Sequence, residues 1–295
     1  MIIDRIRNRI RTVCHQFLVD HYPRFVIDRI WQRQNGYKID WNHPTDINEK
    51  IQWLICYGDT SRWPDLADKY KVRKYVIEKG YEHLLPKLYG VWEDPNKIDY
   101  DELPDKFVLK CNHDSGSVHI VDKLKGYDKQ VINSDLNNHL KLKFGYLFCE
   151  PHYNKIKARV IAEEYLEDNG YSNTLVDYKV WCFNGHPYCV LVVFNRSKDS
   201  VCINSYDLDW NVHPEHSVFT KHFQDGKGAI PKPKNLETML TIASDLAGDF
   251  PEVRVDFYEV NGTLYFGEMT FTSACGRMNY YTKDYLIEMG QQIKL

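Results

Sequence analysis

The sequence predicts an α+β fold, because helical segments flank antiparallel hairpins instead of alternating with single strands. Asn184-Gly185 and Asn261-Gly262 each join two runs rich in Val, Phe and Tyr, a strong short-range hairpin signal. Two apolar runs around the small-residue loop from Cys111 to Ser117 form a third hairpin pattern. Apolar residues at helical spacing fill much of the rest.

Taken in order, residues 2–34 read as one helix, with Ile2, Ile3, Ile6, Ile10, Val13 and Phe17 on a stripe between basic residues. The stripe is wide enough for ordinary burial against the rest of the chain, and that is the expectation; a membrane-surface helix is the alternative. Residues 36–44 punctuate the chain. Thr45, Asp46 and Glu49 then look like a capped helix start before Ile51, Trp53, Leu54 and Ile55. A second helix is expected over 65–79, ending at Gly80. Residues 84–91 suit a short strand or loop, and 95–104 are turn-rich. Residues 106–110 and 118–121 are the arms of the Cys111–Ser117 hairpin. Residues 134–144 read as helix, and 158–166 as a strand ending in a turn at 167–170. Residues 177–183 and 188–195 pair around Asn184-Gly185. After a helix over 235–247, residues 253–260 and 263–269 pair around Asn261-Gly262.

Composition narrows the function class. The chain has 295 residues, 43% hydrophobic and 27% charged, with a net charge of −3, so no global field recruits nucleic acid or anionic lipid. Eight scattered cysteines contain no C-x-x-C pair and fit no zinc template. They favour a reducing compartment. Arginines at positions 5, 7, 9 and 11 break the run a signal peptide would need, and no stretch has the apolar length of a membrane span. The expected location is cytoplasmic, with peripheral association at the inner face of the plasma membrane left open.

The most specific constellation is the last hairpin. Asp256 and Glu268 lie on paired strands, and period-two alternation puts Arg254 on the face of Asp256 and Thr270 on that of Glu268. Such a charged face is costly to bury without a charged ligand, and its hard oxygens suit Mg2+ bridging nucleotide phosphates. The competing reading is a solvent-facing salt bridge. Lys110, at a strand end beside the loop holding His113, Ser115, Gly116 and Ser117, resembles a phosphate-binding arrangement, although no Walker A pattern is present. The strand end Glu163, Glu164, Tyr165, Leu166 could offer main-chain groups to an adenine edge. Lys179, on a strand with Asp177, could reach a phosphate. On this view Asp256→Asn and Glu268→Gln each remove metal-binding charge from an unchanged hairpin.

Together these pieces resemble an ATP-grasp protein, and more narrowly the TupA-like branch, named for teichuronopeptide biosynthesis. The resemblance rests on Asp68-Lys69 and Arg73, Phe107 to Lys110, His113 to Gly116, Glu163 to Leu166, Asp177 to Lys179, Arg254 to Asp256 and Phe266 to Glu268. The segments from Asn48 to Trp53 and from Ala67 to Arg73 are similar to the same branch, so it covers roughly residues 45–290. It implies two α+β lobes clamping Mg-ATP, with Mn2+ an acceptable substitute. It implies a helical segment over 1–44, a helical region over 45–105, a lid over 106–170 and a metal-bearing subdomain over 171–295. Lys69, Lys110, Lys179, the loop residues and Glu163 to Leu166 would bind nucleotide. Asp256, Glu268 and Thr270 would hold metal, Thr270 standing where many such ligases have Asn. Arg254 and Lys179 would be catalytic. Arg196, Ser273, Gly276, Arg277 and Asn279 are candidates for the acceptor pocket. The implied reaction joins an amino acid to a small-molecule or polysaccharide-precursor carboxylate, such as a sugar acid, through an acyl-phosphate. A kinase acting on a sugar hydroxyl, a glycosyltransferase and a non-catalytic nucleotide-binding assembly protein are the alternatives. No nucleic-acid partner and no stable membrane insertion are expected.

Overall fold

Two largely antiparallel sheets organise the computed structural model, which describes residues 2–167 and 170–295 and, in the first helix, side chains from Ile10 onward. The smaller sheet has the order β1 (Leu88–Trp92), β4 (Val160–Glu164), β2 (Lys106–Cys111), β3 (His119–Asp122). The larger has the order β10 (Thr263–Thr270), β9 (Glu252–Val260), β5 (Asp177–Phe183), β6 (His186–Phe194), β7 (Val201–Tyr206), β8 (Phe223–Asp225), with only the last pair parallel. The α+β reading therefore holds.

Both predicted Asn-Gly turns close hairpins. Asn184 and Gly185 have φ of 49° and 81°, and Asn261 and Gly262 have 52° and 77°. A two-residue turn matched to strand twist needs positive φ at both positions, which Asn tolerates and Gly adopts freely. The remaining helices are α1 (Ile2–His21), α2 (Pro23–Asn35), α3 (Ile47–Tyr57), α4 (Trp63–Leu66), α5 (Val72–Glu78), α6 (Lys129–Lys141), α7 (Phe144–Phe148), α8 (Leu236–Ala247) and α9 (Lys283–Gln292). Helix α3 starts as the sequence suggests: Asp46 accepts from the Glu49 amide, and the Glu49 carboxylate accepts from the Thr45 amide at 2.7 Å.

Several boundaries differ from expectation. The single helix over 2–34 is two, because Pro23 can open a helix but cannot continue one. The helix over 65–79 is split into α4 and α5 by a turn around Asp68, which is fully buried and accepts from the Tyr70 amide and the Asn112 side chain. Helix α6 begins earlier than expected, at the Asp128 cap, which accepts from the amides of Gln130 and Val131. Strand β1 forms where a short strand or loop was expected, and pairs with β4. Of the stripe expected to be buried, Ile10, Val13 and Phe17 are 58%, 58% and 54% exposed, which corrects that reading. Helix α1 instead packs through Val19, which is fully buried, and through His15 against the Tyr146 carbonyl. Ile2, Ile3, Ile6 and Arg7, like the turn residues Asp168 and Asn169, lie outside the described side chains.

Each sheet has its own core. Phe107, Leu109, Val121, Ile132 and Leu136 pack beneath the smaller sheet, where α6 covers it. Beneath the larger sheet, Val253, Val255 and Phe257 meet Met239, Ala243 and Leu246 of α8. The opposite face of β9, carrying Arg254 and Asp256, is thereby turned toward the space between the sheets.

Candidate active site

A cavity of about 380 Å³ is lined by both sheets. The smaller sheet contributes Val108 and Lys110 of β2 and the end of β4 from Glu163 to Leu166. The larger contributes Asp177, Tyr258, Phe266 and Gly267, while Lys69 and Arg73 close one side.

Beside the wall formed by Lys69, Asp177 and Gly267, the strand register builds a charged row. Lys179 of β5 lies opposite Asp256 of β9, which lies opposite Glu268 of β10. One step along, Trp181, Arg254 and Thr270 form a parallel row. The Asp256 carboxylate is 1% exposed and accepts from Lys179 and, on both oxygens, from Arg254 at 2.7 and 2.8 Å. Glu268 faces Lys69 and Arg254, each at 3.6 Å. Burial would raise its carboxyl, but Lys69, Lys179, Arg254 and Lys110 outweigh that and hold it at about 2. Asp177 is likewise pushed up by burial and brought below its ordinary range by Lys179 and Arg196. Gly267 lets the strands close: a Cβ there would meet the Asp256 carbonyl at 2.9 Å, and a bulge in the register falls at this residue.

A divalent cation fits this donor set. Mg2+ takes one or two carboxylates and completes its shell with phosphate oxygens and water, and Asp256 and Glu268 are two hard donors side by side among compensating cations. Thr270 has another duty, since its hydroxyl donates to Glu268 at 3.4 Å and accepts from Arg254 at 3.3 Å, which orients both side chains. The ion pairs of this region join six cations, Lys69, Arg73, Lys110, Lys179, Arg196 and Arg254, to four carboxylates, Glu163, Asp177, Asp256 and Glu268. The surplus is positive and suits a polyphosphate.

Glu163 is occupied by Lys110 at 2.5 Å and by Arg73 at 3.2 Å, so it positions the lysine and is not a free acceptor for a base. Glu164 is engaged in both directions with the Lys87 main chain. Beyond it, no hydrogen bond among the described residues uses the main chain of Tyr165 or Leu166, and both line the cavity. Those are the groups able to read a base edge.

In the loop after β2, His113 and Ser117 are buried. Ser117 Oγ donates to Asp114 at 2.6 Å and accepts from the Cys111 amide, while His113 Nε2 meets the Leu142 carbonyl. They build the loop, and burial holds the His113 imidazole below its ordinary range. Only Ser115 and Gly116 stand exposed at its tip, Gly116 with φ 96° and open space around it. Lys69 ties loop to metal row, donating to the Asp114 carbonyl at 2.7 Å while facing Glu268.

The expected acceptor residues do not form one group. Arg196 pairs with Asp177 on the cavity wall, on the side of Lys179. Ser273 accepts from Arg254 at 2.9 Å, which places it at the metal row. Arg277 lies over the Phe148 ring at 5.2 Å, and Asn279 is exposed. Gly276 belongs to a tight left-handed turn with Ala274 and Cys275, whose φ values are 47° and 57°. Such angles are costly for residues with a Cβ. Gln52 of α3 clamps the turn by donating to the carbonyls of Cys275 and Gly276, and Asn48 exchanges two hydrogen bonds with the Met278 main chain. Gln52, Asn48, Arg73 and Gly267 fall within the segments that carry the family resemblance, but their roles at the site exist only across distant segments, so the sequence alone does not assign them.

A family profile described as TupA-like ATPgrasp matches residues 49–294. The chain belongs to the TupA-like ATP-grasp family. It is therefore an ATP-grasp enzyme. No curated protein matches this family member by sequence. Among solved structures it is similar to a D-alanine–D-alanine ligase from Bacillus anthracis complexed with ATP, at 15% identity and a TM-score of 0.40, over 84% of this chain and 68% of that one. It is also similar to an L-amino acid ligase from Bacillus licheniformis, at 11% and 0.45, over 78% and 49%. A third is the ATP-grasp ligase PsnB complexed with minimal precursor, Mg and ADP, at 10% and 0.37, over 79% and 59%.

Proposed function

We propose that this ATP-grasp enzyme joins a carboxylate to an amine, most simply a sugar acid to an amino acid during bacterial surface-polysaccharide synthesis. The observation that carries the ATP-dependent part is the row Lys179–Asp256–Glu268 beside a cavity rimmed by Lys69 and Lys110. The base would sit against the free main chain of Tyr165 and Leu166, with Val108 and Phe266 on the apolar walls. Lys110 and Lys179 would hold the phosphates, and Ser115 and Gly116 would close over them.

Asp256 and Glu268 would hold Mg2+, which when bound supplies charge neutralisation for the phosphate oxygens. The substrate carboxylate attacks the γ-phosphorus and ADP leaves. The amine then attacks the acyl carbon and inorganic phosphate leaves. Little covalent help is needed; orientation and fixed positive charge lower both barriers. Arg254, held by Asp256, Thr270 and Ser273, would steady the transferred phosphoryl group and the acyl-phosphate. The clamped turn from Ser273 to Gly276, tied to the row through Ser273 and Arg254, would border the acceptor.

The test is a screen of uronic acids and nucleotide-linked uronates against common amino acids, reading phosphate release and amide mass together. Amide with stoichiometric free phosphate supports the ligase. Phosphate retained on the acceptor would make the protein a kinase.

A further inference from the structure

The surface built by α1, α2 and α7 carries chemistry that the cavity does not use. A groove of about 840 Å³ runs between these helices and the segment after α6, and shares no residue with the cavity. Its described lining includes Arg11, Arg29, Arg33, Lys141 and Lys143, and contains no Asp or Glu. All five cations are exposed, and among the described residues none has an ion-pair partner. This is unusual in a chain with a net charge of −3.

Large apolar side chains of the same helices also stand in solvent, on the groove's wall and on the adjoining face of α1. Ile10, Val13 and Phe17 follow helical spacing along one stripe of α1. Phe25, Leu147 and Phe148 are also close to half exposed, and Phe25 and Leu147 line the groove itself. Arg29 lies over the Phe25 ring at 5.6 Å, so charge and apolar surface are interleaved.

We propose that this surface docks on an anionic lipid bilayer. Apolar side chains at this density are soluble neighbours for the acyl boundary, and unpaired arginines and lysines around them meet lipid phosphates. Arginine and lysine stems cover the apolar rim while their heads stay at phosphate level. A second copy of the chain is a poorer occupant. Two-fold pairing through this face would set the same five cations against each other. The inference stands on these residues alone and does not depend on which acid or amine the enzyme joins.

The experiment is sedimentation of the full chain with vesicles of equal parts phosphatidylglycerol and phosphatidylcholine, against vesicles of phosphatidylcholine alone. Binding is expected only to the anionic vesicles, and it should be lost on raising salt from about 0.05 M to about 0.5 M. Arg29→Glu with Arg33→Glu should lower the partition coefficient by about 25-fold or more, from roughly five-fold per charge removed. Val13→Ser with Phe17→Ser should weaken it with less salt dependence. Circular-dichroism melts identify variants that have not folded, in which case the wild-type comparison of lipids and salt decides. Equal binding to both vesicle types, no binding to either, or a concentration-dependent dimer broken by the Phe17 variant would overturn the proposal.

Discussion

Replacing Asp256 by Asn tests the metal row and its cost to the fold at once. From sequence alone, this substitution and Glu268→Gln look equivalent, each removing one charge from an unchanged hairpin. The structure separates them. Asp256 is 1% exposed and is the shared counter-ion of Lys179 and Arg254. Its loss removes the nearest counter-ion from two buried cations and leaves Lys179 only Asp177 and Arg254 only Glu268, each at 3.6 Å, a kind of change that costs up to about 3–5 kcal/mol. The Glu268 side chain retains 34% exposure and its nearest cations stand at 3.6 Å, so solvent screening limits its cost to about 1 kcal/mol or less. For a chain of this size these correspond to falls in Tm of roughly 6–20 °C and roughly 2–4 °C. Both variants should lose Mg-dependent ADP formation. Adding Lys179→Met to Asp256→Asn should recover part of the stability but none of the activity, because it removes one stranded charge. Thermal melts and a coupled ADP assay on the four proteins measure this. If Asp256→Asn melts with wild type and keeps its Mg2+ dependence, both the ion-pair argument and the metal assignment are wrong.

Other tests follow from named contacts. Glu252 is 1% exposed with neither carboxylate oxygen bonded, and burial raises it well above 4.5. A carboxyl raised in the folded state makes stability fall as pH rises from the unfolded value toward the folded one. Urea midpoints should therefore drop as pH rises above the ordinary carboxylate range, and Glu252→Gln should flatten that slope; an unchanged slope would refute the assignment. Gly267→Ala should push β9 and β10 apart at the metal row and reduce ADP formation by about ten-fold or more with a native circular-dichroism spectrum, since sub-ångström misplacement is expensive in catalysis. Normal turnover would show that the close approach is dispensable. Hydrogen exchange over residues 113–118 should slow at the Ser115 and Gly116 amides when a non-hydrolysable ATP analogue is added, and the buried Ser117 should change little. Gln52→Ala should release the 274–276 turn and raise KM for the acceptor more than for ATP; an equal rise in both would place the turn elsewhere.

What could be read from the sequence was local. Hairpins at Asn184-Gly185 and Asn261-Gly262, the cap at Asp46, and the faces of Arg254, Asp256, Glu268 and Thr270 all depend on near neighbours and on period-two alternation. The order of charged residues along the chain was enough to bring the family into view. The break at Pro23 was also visible, and it was the apolar periodicity running through it that hid the second helix. Tertiary structure decided everything that depends on distant partners. It set Lys179 opposite Asp256 across 77 residues, took Glu163 out of solvent with Arg73 and Lys110, and turned His113 and Ser117 inward. It moved Arg196 to Asp177, and it left Ile10, Val13 and Phe17 uncovered. Periodicity states which residues share a face, but whether that face meets a core, a ligand or solvent depends on segments far away in the chain, and only packing brings those together.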